Sequence, residues 1–199
     1  MEQARLAVSR IAADLFWAHG VDGTSGDAIA EAAGISKRTV WRYFRSKEAC
    51  VEPLFLATEL RFITLMDRWP RDQSIEAYLR VAIGSLTEGE QERRDAIAAA
   101  RLISMLAKEP ALRSTWLMAC AQCEAQLVPI IARRAGRSTD DLDVKLCSAT
   151  IVAGIRVVDE AISSAALNDG RVFSPDEVTE QLAAVIRAAS TLPICDPID

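Results

Sequence analysis

The chain has 199 residues, half of them hydrophobic and 26% charged, with a net charge of −5. That composition excludes a disordered chain, and no apolar run nears the roughly 20 residues a bilayer crossing takes. Five cysteines, an odd count, exclude a disulfide framework; with an amphipathic rather than signal-like N-terminus, they set the cytoplasm as the expected compartment.

The charge is unevenly spread. Residues 1–50 hold seven Lys/Arg and six Asp/Glu, a net +1, and the remainder is acidic. Lys37, Arg38, Arg42, Arg45 and Lys47 form a run of bases with no acid among them. A focused positive spot on an acidic protein reads either as a solvated face or as an electrostatic footprint for nucleic acid.

In chain order, Val8, Ile11, Ala12, Leu15 and Phe16 recur at helical spacing and predict a first helix over residues 3–18, ended by His19-Gly20. Thr24-x-x-Asp27 has the form of a capping box and predicts a short second helix through Ala33, with Gly34 as its stop. Ser36 caps a third helix, in which Ile35 and Val40 hold the two positions of a hydrophobic staple. Val40 and Phe44 face inward there, and Arg38, Arg42 and Arg45 point away. Ser46 caps a fourth helix whose inward row is Val51, Phe55, Thr58, Phe62, Leu65, Met66 and Trp69; Pro53, lacking an N–H, should kink or restart it. Two short helices about a tight glycine turn, the second basic outside and apolar inside, form a helix-turn-helix. A major groove about 12 Å wide admits one such helix, provided that its back is packed and its front carries donors.

Further helices are predicted at residues 74–86, 93–108, 110–135 (through Pro129), 139–167 and 175–190, the last opened by Ser174-Pro175. The 139–167 segment is apolar nearly all round, and 175–190 carries a Val178, Leu182, Val185, Ile186 stripe. A helix like the first needs cover on more than one side, from the protomer or from a second copy. The fold class is therefore all-α: a three-helix, N-terminal helix-turn-helix domain over 1–50 joined to a C-terminal helical bundle over 51–199.

The run from Ala30 to Glu48, AEAAGISKRTVWRYFRSKE, resembles the DNA-binding signature of the TetR family, I-A-x-x-A-G-V-S-x-x-T-L-Y-x-[HY]-F-x-[SN]-K-E, at fixed spacing and without gaps. The resemblance covers about residues 3–52. It implies a ligand-responsive regulator, most simply a repressor, that binds a palindromic operator in double-stranded DNA as a homodimer and is released by a small apolar effector. It also implies DNA contacts from Lys37, Arg38, Thr39, Trp41, Arg42 and Tyr43, with Ser25 and Lys47 at helix starts meeting phosphate. Pairing of the last two helices with their symmetry mates is implied too, through Ile151, Ile155, Val158, Ile162, Val178, Leu182, Val185 and Ile186. Two departures lie in the reading head. Trp41 stands where Tyr is usual, and Gly26-Asp27 stands where an apolar residue and then a polar reader are usual; Asp27 is expected to serve as a capping carboxylate.

Phe62, Met66, Trp69, Tyr78, Met105, Trp116, Cys120 and Cys123 are the candidate lining of an effector pocket, because Met and aromatic side chains adapt to apolar ligands; the other reading of the same residues is plain core. Cys120-x-x-Cys123 lies mid-helix, away from the lone His19, and reads as a buried pair rather than as zinc ligands or a redox dithiol. No metal, cofactor or catalytic constellation is expected. The alternative to a regulator is a helical small-molecule-binding or scaffold protein whose helix-turn-helix no longer functions.

Overall fold

The computed structural model describes residues 2–198. Its elements are α1 (Glu2–His19), α2 (Gly26–Ala32), α3 (Lys37–Tyr43), α4 (Glu52–Asp67), α5 (Ile75–Ala82), α6 (Glu90–Met105), α7 (Pro110–Ala135), α8 (Leu142–Asn168) and α9 (Pro175–Ala189), with no strand among the described residues. Short 3-10 turns, Glu48–Val51 and Ile83–Thr87, lead into α4 and follow α5. Among the described residues no helix is long and apolar enough to cross a membrane.

Local chemistry accounts for most boundaries. Gly20 and Gly34 take the left-handed conformation after α1 and α2, where a side chain would strain the turn. Ser36 accepts a hydrogen bond from the Thr39 amide and starts α3. Ser174 and Glu177 complete a reciprocal capping box at the head of α9. Pro53 falls in the first turn of α4, so the chain restarts as a helix there after the 3-10 turn. Pro129 interrupts nothing: α7 runs through it.

Three expectations are corrected. Thr24 does not cap α2; it is buried, and its hydroxyl donates to the Gly20 carbonyl at 2.9 Å while Ser25 accepts from the Ala28 amide at 3.1 Å. The expected 74–86 helix divides into α5 and a 3-10 turn. The expected 139–167 helix begins three residues later, because Asp141 accepts from the Asp143 amide and so caps it.

Two apolar cores form. The first gathers α1–α3 around Phe16, Ile29, Val40 and Phe44, but its floor comes from farther along the chain: Leu54, Phe55, Leu102, Leu112 and Trp116 belong to it. The second joins α4, α5, α7, α8 and α9 through Met66, Leu79, Leu127, Ile151 and Ile186. The C-terminal tail is tied on by Arg134, whose buried guanidinium donates to the carbonyls of Ile194 (2.6 Å), Pro70 (2.7 Å) and Gln73 (2.8 Å) and lies over the Trp69 ring.

Candidate nucleic-acid interface and effector cavity

α3 is held from behind by Val40 and Phe44, both buried, and presents Lys37, Arg38, Trp41 and Arg42 to solvent; Arg45, just beyond it, is exposed as well. Thr39 and Tyr43 are half-buried at its flanks. The basic face expected on this helix is therefore assembled, but two of its members are already engaged. Lys37 pairs with Asp27 of α2 at 2.7 Å. Lys47 donates to the carbonyls of Val21 (2.6 Å) and Thr24 (3.2 Å), which braces the α1–α2 connection. Asp27 is thus not the expected capping carboxylate: Ser25 caps α2, and Asp27 is the counter-charge that links the two helices of the motif.

The two departures from the usual pattern explain each other. A Cβ placed on Gly26 would fall 2.2 Å from Cζ2 of Trp41. The six-membered ring of the indole lies against position 26, where only a glycine leaves room for it.

Behind this head, α4, α6, α8, α9 and the 3-10 turn after α5 line an open cavity of about 500 Å³, within the range of small-molecule sites. Its wall is mainly apolar, from Phe62, Ile103, Ile155, Phe173, Val178 and Leu182. Of the expected lining residues it contains Phe62 alone. Met66 and Trp116 are buried in the two cores, Trp116 against Phe55; Met105 packs beside them, and Trp69 is spent as the platform for Arg134. Tyr78 donates to the Leu65 carbonyl at 2.6 Å and borders a separate, more polar depression beside Arg68, Glu88 and Glu92. Cys120 and Cys123 border only a void of about 10 Å³ next to the cavity. All five cysteines are free and buried, and burial pushes the Cys123 thiol up to about 12, so it stays an unreactive thiol.

The expected dimer residues also shift role. Ile151, Ile155, Leu182 and Ile186 are buried within the protomer. Val185 packs against α8 at Gly154, where an added Cβ would meet its Cγ2 at 2.9 Å. Val158, Ile162 and Val178 are half-buried. The outward row of α8 is instead Leu142, Leu146, Ala153 and Val157, with Leu142 76% and Val157 56% exposed.

Sequence reasoning missed the residues that join head and cavity. Asp95 of α6 is almost fully buried and receives Arg10 of α1 through two bonds (2.8 and 2.9 Å), Arg61 of α4 (2.5 Å) and Gln91 (2.8 Å). Burial pushes its carboxyl up, but these hydrogen bonds outweigh that and hold it below the usual carboxylate range. Arg61 is at once a ligand of Asp95 and a wall of the cavity. Glu59 and Asp159 also face the cavity, and neither belongs to any apolar stripe that periodicity picks out.

A packed helix-turn-helix with an exposed basic second helix, mounted on a hollow helical body, defines a regulator of the one-component class. Residues 10–54 match the bacterial regulatory proteins of the tetR family, and residues 65–189 match the MftR C-terminal domain. The chain belongs to the TetR family. It is 28% identical over 145 residues to the HTH-type transcriptional regulator TcmR of Streptomyces glaucescens, covering 71% of this chain and 64% of that one. It is 29% identical over 134 residues to MftR of Mycobacterium tuberculosis, by its name a mycofactocin biosynthesis transcriptional regulator, covering 67% of each. The chain thus spans about two thirds of the length of these relatives. A TetR-family regulator from Rhodococcus sp. has the same fold, with a TM-score of 0.60 at 20% identity over 96% of this chain and all of that one. Thermus thermophilus FadR, solved with lauroyl-CoA, shares it at a TM-score of 0.53 and 21% identity over 93% of this chain and 92% of that one.

Proposed function

We propose that this chain is a cytoplasmic, ligand-responsive repressor that binds a palindromic operator as a homodimer and releases it when a small, largely apolar molecule fills the α4–α6–α8–α9 cavity. The observation that carries the reading is Arg61, which lines the cavity and shares buried Asp95 with Arg10 of the DNA-binding head. A ligand that displaces Arg61 changes the footing of α1 directly, so that cavity and head form one two-state element. Residues 1–50 act as the reader and 51–199 as sensor and dimeriser. Arg38, Thr39, Trp41, Arg42 and Tyr43 meet the major groove, with Lys37 at its edge and Ser25 and Lys47 toward phosphate. That FadR was solved with lauroyl-CoA supports a cavity use of this kind on this fold.

The test is a gel shift with the DNA flanking the chain's own gene, with and without a panel of apolar compounds. Specific retention that a bound compound weakens, by about 5–150-fold for a coupling of 1–3 kcal/mol, is the expected result. Equal retention of unrelated DNA by wild type and Arg38→Ala would move the scaffold reading, with a non-functional helix-turn-helix, to first place.

A further inference from the structure

The cavity's apolar wall is broken by two carboxyl groups, Glu59 from α4 and Asp159 from α8. Among the described residues no hydrogen bond or ion pair reaches either one. The cations around them are committed elsewhere. Arg61 is held by Asp95 and the Glu92 carbonyl, and Arg156 and Arg113 by Glu160 at 2.8 and 3.1 Å; Arg171 lies over the Phe173 ring at the edge of the cavity. An unpaired carboxylate facing an apolar space is a costly arrangement, and a pair of them more so. Burial, and then the charge of Asp159, push Glu59 well above the usual carboxylate range. Burial, and then Glu160, push Asp159 up as well. Among the described residues no ion pair neutralises the two carboxyl groups, and strongly perturbed, unpartnered groups in a cleft mark a place for a ligand. A ligand with an anionic head would add a third like charge, whereas one with a positive centre supplies what both carboxylates lack.

We propose that this cavity takes a hydrophobic organic cation, an amine or quaternary ammonium on an apolar body, with its positive centre held by Glu59 and Asp159 and its body against Phe62, Ile103 and Phe173. The proposal rests on the reading of this cavity as the effector site. Glu59 lies on the helix that leads directly out of the DNA-binding head and two residues from Arg61, so a cation drawn to it arrives beside the link to Asp95.

The experiment is calorimetric titration of the full-length protein with decyltrimethylammonium, decanol and decanoate, which share a tail and differ in head charge, each below its micellar concentration. The quaternary ammonium is expected to bind at least tenfold more tightly than decanoate. Glu59→Gln and Asp159→Asn should each weaken it about fivefold or more and leave decanol unchanged, with thermal melts confirming that the variants fold. The ammonium charge is fixed, so its affinity should rise between pH 5.5 and 8 as Asp159, pushed up to about 7, ionises. The other charged or titratable groups packed around them are Arg61, Arg113, Arg156 and Glu160, with Asp95, whose hydrogen bonds hold its carboxyl low, and Cys120 and Cys123, whose thiols burial pushes up. Decanoate binding as tightly as the cation, or a double variant that binds the cation like wild type, overturns the proposal. If decanol or decanoate binds and releases DNA while decyltrimethylammonium binds no more tightly than either, the effector-site reading stands and the cation assignment alone falls. If none of the three binds, both fall.

Discussion

Individual side chains in the reading head are arranged in pairs, and the pairs set what substitutions should do. Gly26→Ala puts a methyl where the Trp41 ring lies, so it should swing the indole outward, shift the tryptophan emission and weaken operator binding without unfolding the chain. Arg38, exposed and unencumbered at the start of α3, should lose roughly 1–3 kcal/mol per half-site and relax base preference when changed to Ala, with an unchanged melting temperature. Lys47→Ala should behave differently: because its ammonium holds the Val21 and Thr24 carbonyls, it should lower the melting temperature as well as reduce the salt slope, by about 2 per dimer. In the cavity, Asp159 keeps its proton to about 7, against an ordinary value near 4, so the fold loses stability as pH rises between those values. Asp159→Asn should therefore melt with wild type at pH 4 and above it at pH 8. Ser36, Gly34 and the Ser174-Pro175 start were all legible because a cap acts within four residues of itself. Asp27 misled because the same carboxylate fits a local cap and a partner on the next helix, and spacing alone does not choose between them.

Among the elements, α6 is the one the sequence left undistinguished and the structure makes central. Besides its apolar packing, it ties α1 to α4 through one buried carboxylate. Asp95→Ala would leave two guanidinium groups facing each other without a counter-charge and should cost on the order of 3 kcal/mol, read by urea melts. The carboxyl of Asp95 sits below its ordinary value, so its contribution is present at neutral pH and is lost as pH falls below about 4. This link was illegible in sequence for a plain reason: Arg10 and Asp95 are 85 residues apart, and no periodicity connects them. The apolar stripes of α8 and α9 were legible as stripes. What covered them was not, since a 3.6-residue repeat shows that a face is buried but not whether the protomer or a partner buries it. Ile151, Ile155, Leu182 and Ile186 went to the protomer, and the outward row of α8 is left for a second copy. Leu146→Glu and Val157→Glu should give folded monomers by light scattering, whereas Ile155→Glu should unfold the chain.

At the scale of the whole molecule, the cavity wall and α1 meet at Asp95 through Arg61 and Arg10, so that under the proposed function ligand affinity and DNA affinity would draw on the same contacts as stability. Reader and sensor are also less separable than the sequence suggests. Leu102 and Leu112, fully buried, together with Trp116, complete the core beneath α1–α3, although they lie far beyond the end of the helix-turn-helix. The DNA-reading head is therefore not a portable cassette. A fragment of residues 1–52 would expose Phe16 and Ile29 to water and should show little helical circular dichroism. A chimera that carried this head onto another family member's body would fold only if α6 and the start of α7 travelled with it. Operator preference, in such a lineage, can change by drift within α3, but it cannot be exchanged wholesale between proteins without exchanging part of the sensor too.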